Sequence, residues 1–287
     1  MSSRIILGTV QFGLPYGINN AEGKPAKEKV YRILDKAYEY GIRQLDSADA
    51  YGDAQFLIGK YVKESERSFH VNSKFHVSQK QTIPDQLSET LAQLQQHAVY
   101  VYFYHRFTDF TQYPESIQAL ELLREQGRIG KIGVSVYTNE EFEIAVEHDA
   151  IDVIQFPFNL LDNFSRRGFL IQRAKEKGKT LQVRSVFLQG LFFKEEDHWP
   201  VTLHPLMPYV RKLKNLSKEY GVSLYDMAIA YVSTRNEIDY ILIGVDLESQ
   251  LEVNMKALNC QLDSSLIGEI EAIIVKEEGL LYPYNWK

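Results

Sequence analysis

The sequence holds one cysteine, Cys260, so no disulfide can form within the chain. No apolar run approaches the roughly 20 residues that a membrane-spanning helix needs. No Pro-, Ser- or Gly-rich linker and no low-complexity stretch interrupts residues 1–287, which therefore read as a single domain. Charge of one sign is not concentrated anywhere. Lys and Arg total 32 against 38 Asp and Glu, and the net charge of −6 is spread along the chain. That pattern argues against a nucleic-acid partner or an anionic membrane surface. Met1-Ser2-Ser3-Arg4 runs straight into Ile5-Ile6-Leu7-Gly8, without the charged and apolar regions of a secretory leader. The expectation is a cytoplasmic protein acting on a small molecule, as a monomer or a small homo-oligomer.

Two signatures are also missing. A doubly wound sheet would place a glycine-rich fingerprint between its first strand and a helix. Gly8-Thr9-Val10-Gln11-Phe12-Gly13 has two glycines, but Leu14-Pro15-Tyr16-Gly17 reads on as loop and no helix is expected to open there. A hydrolytic metal barrel built on Asp46, Asp49, His76 and His105 would want a His-x-His pair at a strand end, and there is none. Lys74 would also be a poor ligand for a divalent ion.

What is present is alternation. Apolar residues make up 45% of the chain, enough for a large core. Short β-branched and aromatic runs occur at 5–9, 44–47, 70–74, 99–105, 132–135, 153–156, 181–185 and 240–243. Helical patterns lie between them at 27–40, 54–62, 84–96, 114–126, 139–147, 164–177 and 247–257. Pro84 and Pro114 suit first turns, and Gly41, Gly127 and Gly178 suit helix stops. Eight strands with intervening helices predict a (β/α)8 TIM barrel. Two helical patterns within 203–234, another at 264–276 and an aromatic tail at 281–286 are additions to the eightfold unit.

Four polar residues stand at or just beyond successive strand ends: Asp46, Tyr51, Lys74 and His105. In a parallel barrel those ends converge on one pocket. A phenol is a weak acid near neutral pH. An ammonium beside it would favour the phenolate, Asp46 could hold that ammonium, and an imidazole could donate to a substrate carbonyl. Together they make a general acid for the oxyanion that forms when hydride attacks a carbonyl. A protein has no hydride of its own, so a nicotinamide cofactor is implied.

Leu45-Asp46 with Tyr51-Gly52, Ser73-Lys74, Tyr104-His105, Ile132-Gly133-Val134-Ser135 and the segment 241–254 resemble the signatures of the aldo-keto reductase family. The resemblance covers nearly the whole chain. It implies a (β/α)8 barrel, NADP or NAD as cofactor, and reversible reduction of an aldehyde or ketone to an alcohol. It assigns the acid to Tyr51, the activating ammonium to Lys74, its partner to Asp46 and the carbonyl-orienting imidazole to His105. On the cofactor side it implies Ser135 and Gln155 at the nicotinamide carboxamide, with Val136 where the family often has Asn. The segment around Leu188 and Gly190 is expected at the pyrophosphate.

Arg184 takes the place of an aromatic residue that stacks on the nicotinamide. A guanidinium plane can also stack, or it can meet an anionic substrate group. After the eighth strand, Gly244, Asp246, Gln250 and Asn254 are expected along the adenosine end. Asp246 stands where relatives that use NADPH commonly carry Arg or Lys. A carboxylate repels a 2′-phosphate but accepts hydrogen bonds from a ribose hydroxyl, so NADH use is expected.

The opening 7–17 resembles a bacterial branch of the family associated with surface-sugar biosynthesis, which implies a sugar or nucleotide-sugar carbonyl. Aromatics expected near the substrate are Phe12, Tyr16, Phe107, Phe110, Phe158, Phe192, Phe193, Trp199, Tyr282 and Trp286. Arg106, Arg166 and Arg167 could meet phosphate or carboxylate groups. A nicotinamide-binding regulatory subunit on the same fold is the alternative to an enzyme.

Overall fold

The structure is a computed structural model that describes residues 4–18, 20 and 23–286. The reading of Met1–Ser3 as lacking a leader lies outside those residues. Eight strands form the sheet: β1 (Ile5–Gly8), β2 (Gln44–Asp46), β3 (His70–Phe75), β4 (Val99–Tyr104), β5 (Ile129–Ser135), β6 (Val153–Pro157), β7 (Thr180–Arg184) and β8 (Tyr240–Gly244). Each pairs in parallel with the next, and β1 pairs with β8, so the sheet closes into a barrel. The (β/α)8 expectation holds, and no helix among the described residues is long and apolar enough to cross a membrane.

The two faces of a strand do different work. In β4, Tyr102 and Tyr104 belong to the large core between sheet and helices, while Val101 and Phe103 form a separate cluster with Val153. The Phe103 ring fills the space beside Gly133, where an added Cβ would lie 2.4 Å from it. Across the barrel interior Asn72 of β3 donates to Gln182 of β7 at 3.4 Å. The centre therefore mixes apolar and amide side chains, and the polar ones form a floor beneath the strand ends.

The helices follow from their apolar stripes and caps. In Lys27–Glu39 the buried residues are Val30, Ile33, Leu34 and Ala37, the spacing of one helical face. Gly41 follows with φ +74°, as a stop requires. Asn139–Glu147 begins with a capping box in which the Thr138 side chain accepts from the Glu141 amide. The patterns within 203–234 become Met207–Glu219 and Leu224–Ser233, and Ser264–Glu271 follows the last barrel unit.

One expectation is corrected after β1. A single helical turn, Val10–Gly13, does open there. The Phe12 amide donates to Thr9 and the Leu14 amide to Val10, each at 3.0 Å, while the Phe12 ring is fully buried. Leu14 is already extended, so the turn ends at once. It packs against the turn that carries Tyr51. A Cβ at Gly13 would lie 1.8 Å from the Tyr51 carbonyl oxygen, and one at Gly52 would lie 2.6 Å from the Gly13 oxygen. Gly52 also has φ +55°. Gly13→Ala is expected to lower stability by about 1–3 kcal/mol, as overpacking does, and to displace Tyr51. Urea unfolding measures the first effect, and an unchanged midpoint would show that the two turns can separate freely.

Candidate active site

Asp46 is the last residue of β2, Lys74 lies next to the end of β3, and His105 immediately follows β4. Tyr51 sits in the turn before the helix Ala54–Ser65. All four line one cavity of ≈ 530 Å³ at the C-terminal ends of the strands. Lys74 and Asp46 are buried and ion-paired with each other. The second carboxylate oxygen of Asp46 accepts from Gln155 Nε2 at 2.8 Å. Lys74 Nζ lies 5.4 Å from the centre of the Tyr51 ring. The His105 ring meets Tyr51 edge-on, with centroids 5.9 Å apart and planes at 84°. His76 lies parallel to His105 at 4.6 Å, and its Nδ1 is 2.8 Å from an Asp109 oxygen.

Burial sets the protonation states. It pushes the Tyr51 phenol well above its usual range, the Asp46 carboxylate adds to this, and Arg184 partly offsets it. The expected lowering of the phenol by Lys74 is therefore not what governs Tyr51. Desolvation of the phenolate dominates, and the Asp46 charge reinforces it. Lys74 itself is lowered by burial, with Asp46 pulling the other way. His105 is pushed down to about 2, by burial first and then by the Lys74 charge. The imidazole is thus neutral and can donate one hydrogen bond while Tyr51 keeps its proton.

The cofactor-side expectations converge on the same cavity. Ser135, Gln155, Arg184, Gly190, Gly244, Asp246, Gln250 and Asn254 all line it. Leu188 does not: its side chain is wholly buried in the core, and its neighbours Phe187 and Gln189 take the lining positions. The backbone here is unusual. Ser185, Leu188 and Gln189 have φ of +61°, +47° and +55°, and Gly190 has +90°. Non-glycine residues rarely adopt that region, and runs of it cluster where backbone N–H groups meet ligands. Val136 is fully buried, so its side chain offers no polar contact, but its carbonyl accepts from Arg184 at 3.2 Å.

After β8 the Gln250 side-chain oxygen accepts from the Asp246 amide at 2.7 Å and the Leu247 amide at 3.2 Å. Tyr225 donates to the Asn254 side-chain oxygen. Three cavity-lining side chains keep a buried polar atom without a partner among the described residues: Asn254 Nδ2, Gln11 Oε1 and His105 Nδ1. An unpaired buried donor or acceptor costs about 1–3 kcal/mol. A ligand with amide and ring-nitrogen groups, such as a nicotinamide dinucleotide, fits that arrangement.

Gln11, Tyr137, Phe187 and Tyr225 line the cavity without having been expected there, whereas Gln189 belongs to the segment expected at the pyrophosphate. Phe187 stacks on Tyr225 at 4.7 Å, which joins a strained loop to a helix distant in sequence. No local motif marks these positions. Of the aromatics expected near the substrate, only Tyr16 and Phe193 line the cavity. Phe12, Phe110, Phe158, Phe192, Trp199 and Tyr282 are core, because the barrel needs large side chains between sheet and helices. Phe107 and Trp286 pack against that core.

Arg106, Arg166 and Arg167 are also absent from the lining. Arg167 is wholly buried against Asp162 at 2.8 Å and donates to the Tyr137 carbonyl at 2.5 Å. Arg166 pairs with Asp162 and Glu278. Asp49 accepts from Thr90 at 2.9 Å and Gln55 at 3.3 Å. Among the described residues no group of three or more His, Cys, Asp or Glu is arranged to hold a metal ion.

The closed parallel barrel and its cavity can be set beside known proteins. The sequence profile of the Aldo/keto reductase family matches residues 4–275, so the chain belongs to that family. It is an oxidoreductase of the kind that acts on small carbonyl compounds with a nicotinamide nucleotide. An aldo-keto reductase of Bacillus subtilis is 25% identical, over 95% of this chain and 90% of its own. The NADH-specific methylglyoxal reductase of Escherichia coli is 22% identical, over 82% of this chain and 85% of its own. The holo form of an aldo-keto reductase from Bacillus halodurans superposes with a TM-score of 0.76 at 20% identity, covering 96% of this chain and 95% of the other.

The protonation states make a pH prediction. His105 lies far below the ordinary imidazole value and Tyr51 far above the ordinary phenol value. Neither changes charge between about pH 5 and 9, so carbonyl reduction should show no acid limb from the imidazole and no alkaline limb from the phenol. Single-turnover reduction across that window checks this. A transition near an ordinary imidazole pKa that vanishes in His105→Gln would contradict it.

Proposed function

We propose that this protein reduces the carbonyl of a small aldehyde or ketone to an alcohol, with Tyr51 as the proton donor and NADH preferred over NADPH. The observation that carries the reading is the convergence of Asp46, Tyr51, Lys74 and His105 on one buried cavity wall. The nicotinamide, when bound, supplies the hydride. The residues of the chain do the rest. His105, neutral, donates to the carbonyl oxygen and orients it. Tyr51 gives its proton to that oxygen as negative charge develops there, and the nearby ammonium of Lys74 stabilises the phenolate left behind. Asp46 fixes Lys74, and burial excludes water.

Ser135 and Gln155 would hold the carboxamide; Gln155 uses its amide nitrogen on Asp46, which leaves its oxygen to accept. The left-handed backbone at Gln189–Gly190 would meet the pyrophosphate, while Asn254 and Gly244 line the adenosine end. The preference for NADH rests on two features. Asp246 puts a carboxylate near the expected 2′ position, and Gln250 already occupies the amides of Asp246 and Leu247. Those are donors that a helix N-terminus would otherwise offer a phosphate. The aromatic faces of Tyr16, Tyr137 and Tyr284 in the lining suit a sugar ring or another flat substrate.

Tyr51→Phe should lose carbonyl reduction by about 100-fold or more while still binding NADH, read by quenching of protein fluorescence. Retained turnover would remove Tyr51 from the role of acid. Titration with both nucleotides decides the second point: NADPH binding more than about tenfold tighter than NADH would refute the preference, since Asp246 is expected to repel the extra phosphate.

A further inference from the structure

Arg184 is the last residue of β7 and lines the same cavity as Tyr51, Lys74 and His105. A guanidinium has five N–H donors and does not lose its charge. Among the described residues it forms one hydrogen bond, to the Val136 carbonyl at 3.2 Å, and its plane lies over the Tyr137 ring at 4.1 Å. Among the described residues no carboxylate forms an ion pair with it, whereas Arg166 and Arg167 are both paired with Asp162. The other cation of the cavity is also matched, because Lys74 is paired with Asp46. Among the described residues the guanidinium is therefore the cavity's unpaired positive charge, and its field reaches the phenols of Tyr16, Tyr51 and Tyr284, each of which it draws downward.

The group is also held in place. Tyr137, on which it stacks, is fixed from below by Arg167 at its carbonyl and from the side by the edge-on ring of Tyr284 at 4.6 Å. A half-buried charge with most of its donors unused, braced by an aromatic ring in a concave site, is built to take planar or tetrahedral oxyanions. An arginine that served only the barrel would spend its donors on backbone carbonyls or a carboxylate, as Arg4 does with Ser233, Arg235 and Ile238.

We propose that Arg184 selects substrates whose carbonyl group is carried by an anion, the guanidinium binding a carboxylate or phosphate of the same molecule. The proposal rests on the carbonyl-reducing reading above and narrows its substrate class. The Tyr51 phenol and the Arg184 guanidinium then read two ends of one substrate: the carbonyl oxygen and the anionic group.

Two kinds of measurement test it. Calorimetry with benzoate and with inorganic phosphate, on the protein alone and with NADH bound, reads the site without turnover. One of the two anions should bind with NADH present. Arg184→Gln should weaken that binding about tenfold or more, the size expected for charge-assisted hydrogen bonds. Arg184→Lys, which keeps the charge, should retain part of it. In turnover, 4-carboxybenzaldehyde is compared with 4-(hydroxymethyl)benzaldehyde, and glyceraldehyde 3-phosphate with glyceraldehyde. The anionic member of one pair should be favoured in kcat/KM, and Arg184→Gln should collapse that ratio; the pair that responds distinguishes carboxylate from phosphate.

Anion binding that is absent, or equal in Arg184→Gln, overturns the proposal. So does weaker NADH binding with an unchanged substrate ratio, which would place the guanidinium on the cofactor. If the variant loses anion binding but neither protein reduces any carbonyl, the anion site stands and the reductase reading falls.

Discussion

Taking an ammonium and a carboxylate out of water costs several kcal/mol per ion, and Lys74 and Asp46 are both buried. The strand ends around them are arranged to make that tolerable. Each ion faces the other, Gln155 supplies a second donor to the carboxylate, and the Ser47 carbonyl lies within reach of the ammonium at 3.4 Å. Removing either partner alone would strand a charge in the barrel, so the pair constrains three strands at once: β2 and β3 carry the ions and β6 carries the amide. The position of Tyr51 depends on the same arrangement. Tyr51 lies five residues after Asp46, and its carbonyl is packed closely against Gly13.

The acid is tuned chiefly by burial, reinforced by the Asp46 charge and partly offset by Arg184. The phenol keeps its proton and the imidazole stays neutral. A site of this kind changes its electrostatics chiefly when something enters it. An entering group would meet His105, Tyr51 and the guanidinium of Arg184, all of which line the cavity. The wall at β8 and the helix Glu248–Ala257 offers an amide donor on Asn254 and no phosphate-ready amides at Asp246 or Leu247.

Much of this was legible in the sequence where a local rule governed the outcome. The helix 139–147 was readable to the residue because its capping box is local chemistry. The strand ends were readable to within a residue or two at most positions, although β5 begins at Ile129, three residues before the apolar run. That extension includes Gly130 and Lys131, whose polar or absent side chains hide the strand. The turn Val10–Gly13 was not readable, since one helical turn has no periodicity. At the site, residues at strand ends were found because barrel topology fixes where strand ends point. Gln11, Tyr137 and Tyr225 were not, because a turn, a loop and a distant helix bring them in. Ten aromatics were too many for the pocket, because composition alone cannot separate core from lining. The sign of the effect on Tyr51 was missed for a related reason: burial is a property of the folded surroundings.

The hydrogen bond from Gln155 to Asp46 has a bearing on how the protein can diverge. In the proposed reading the acid is carried by the first half of the barrel, from β2 to the end of β4, and the nucleotide-facing residues by the second half. Two such halves could in principle drift independently, one changing the proton donor and the other the nucleotide. Here they share a carboxylate. A replacement of Gln155 that alters how the nucleotide sits also withdraws a donor from Asp46 and unbalances Lys74. The two halves are therefore tied at that point, while Asp246 and Gln250, which form no hydrogen bond with Asp46 or Lys74 among the described residues, are the positions where change costs the acid least.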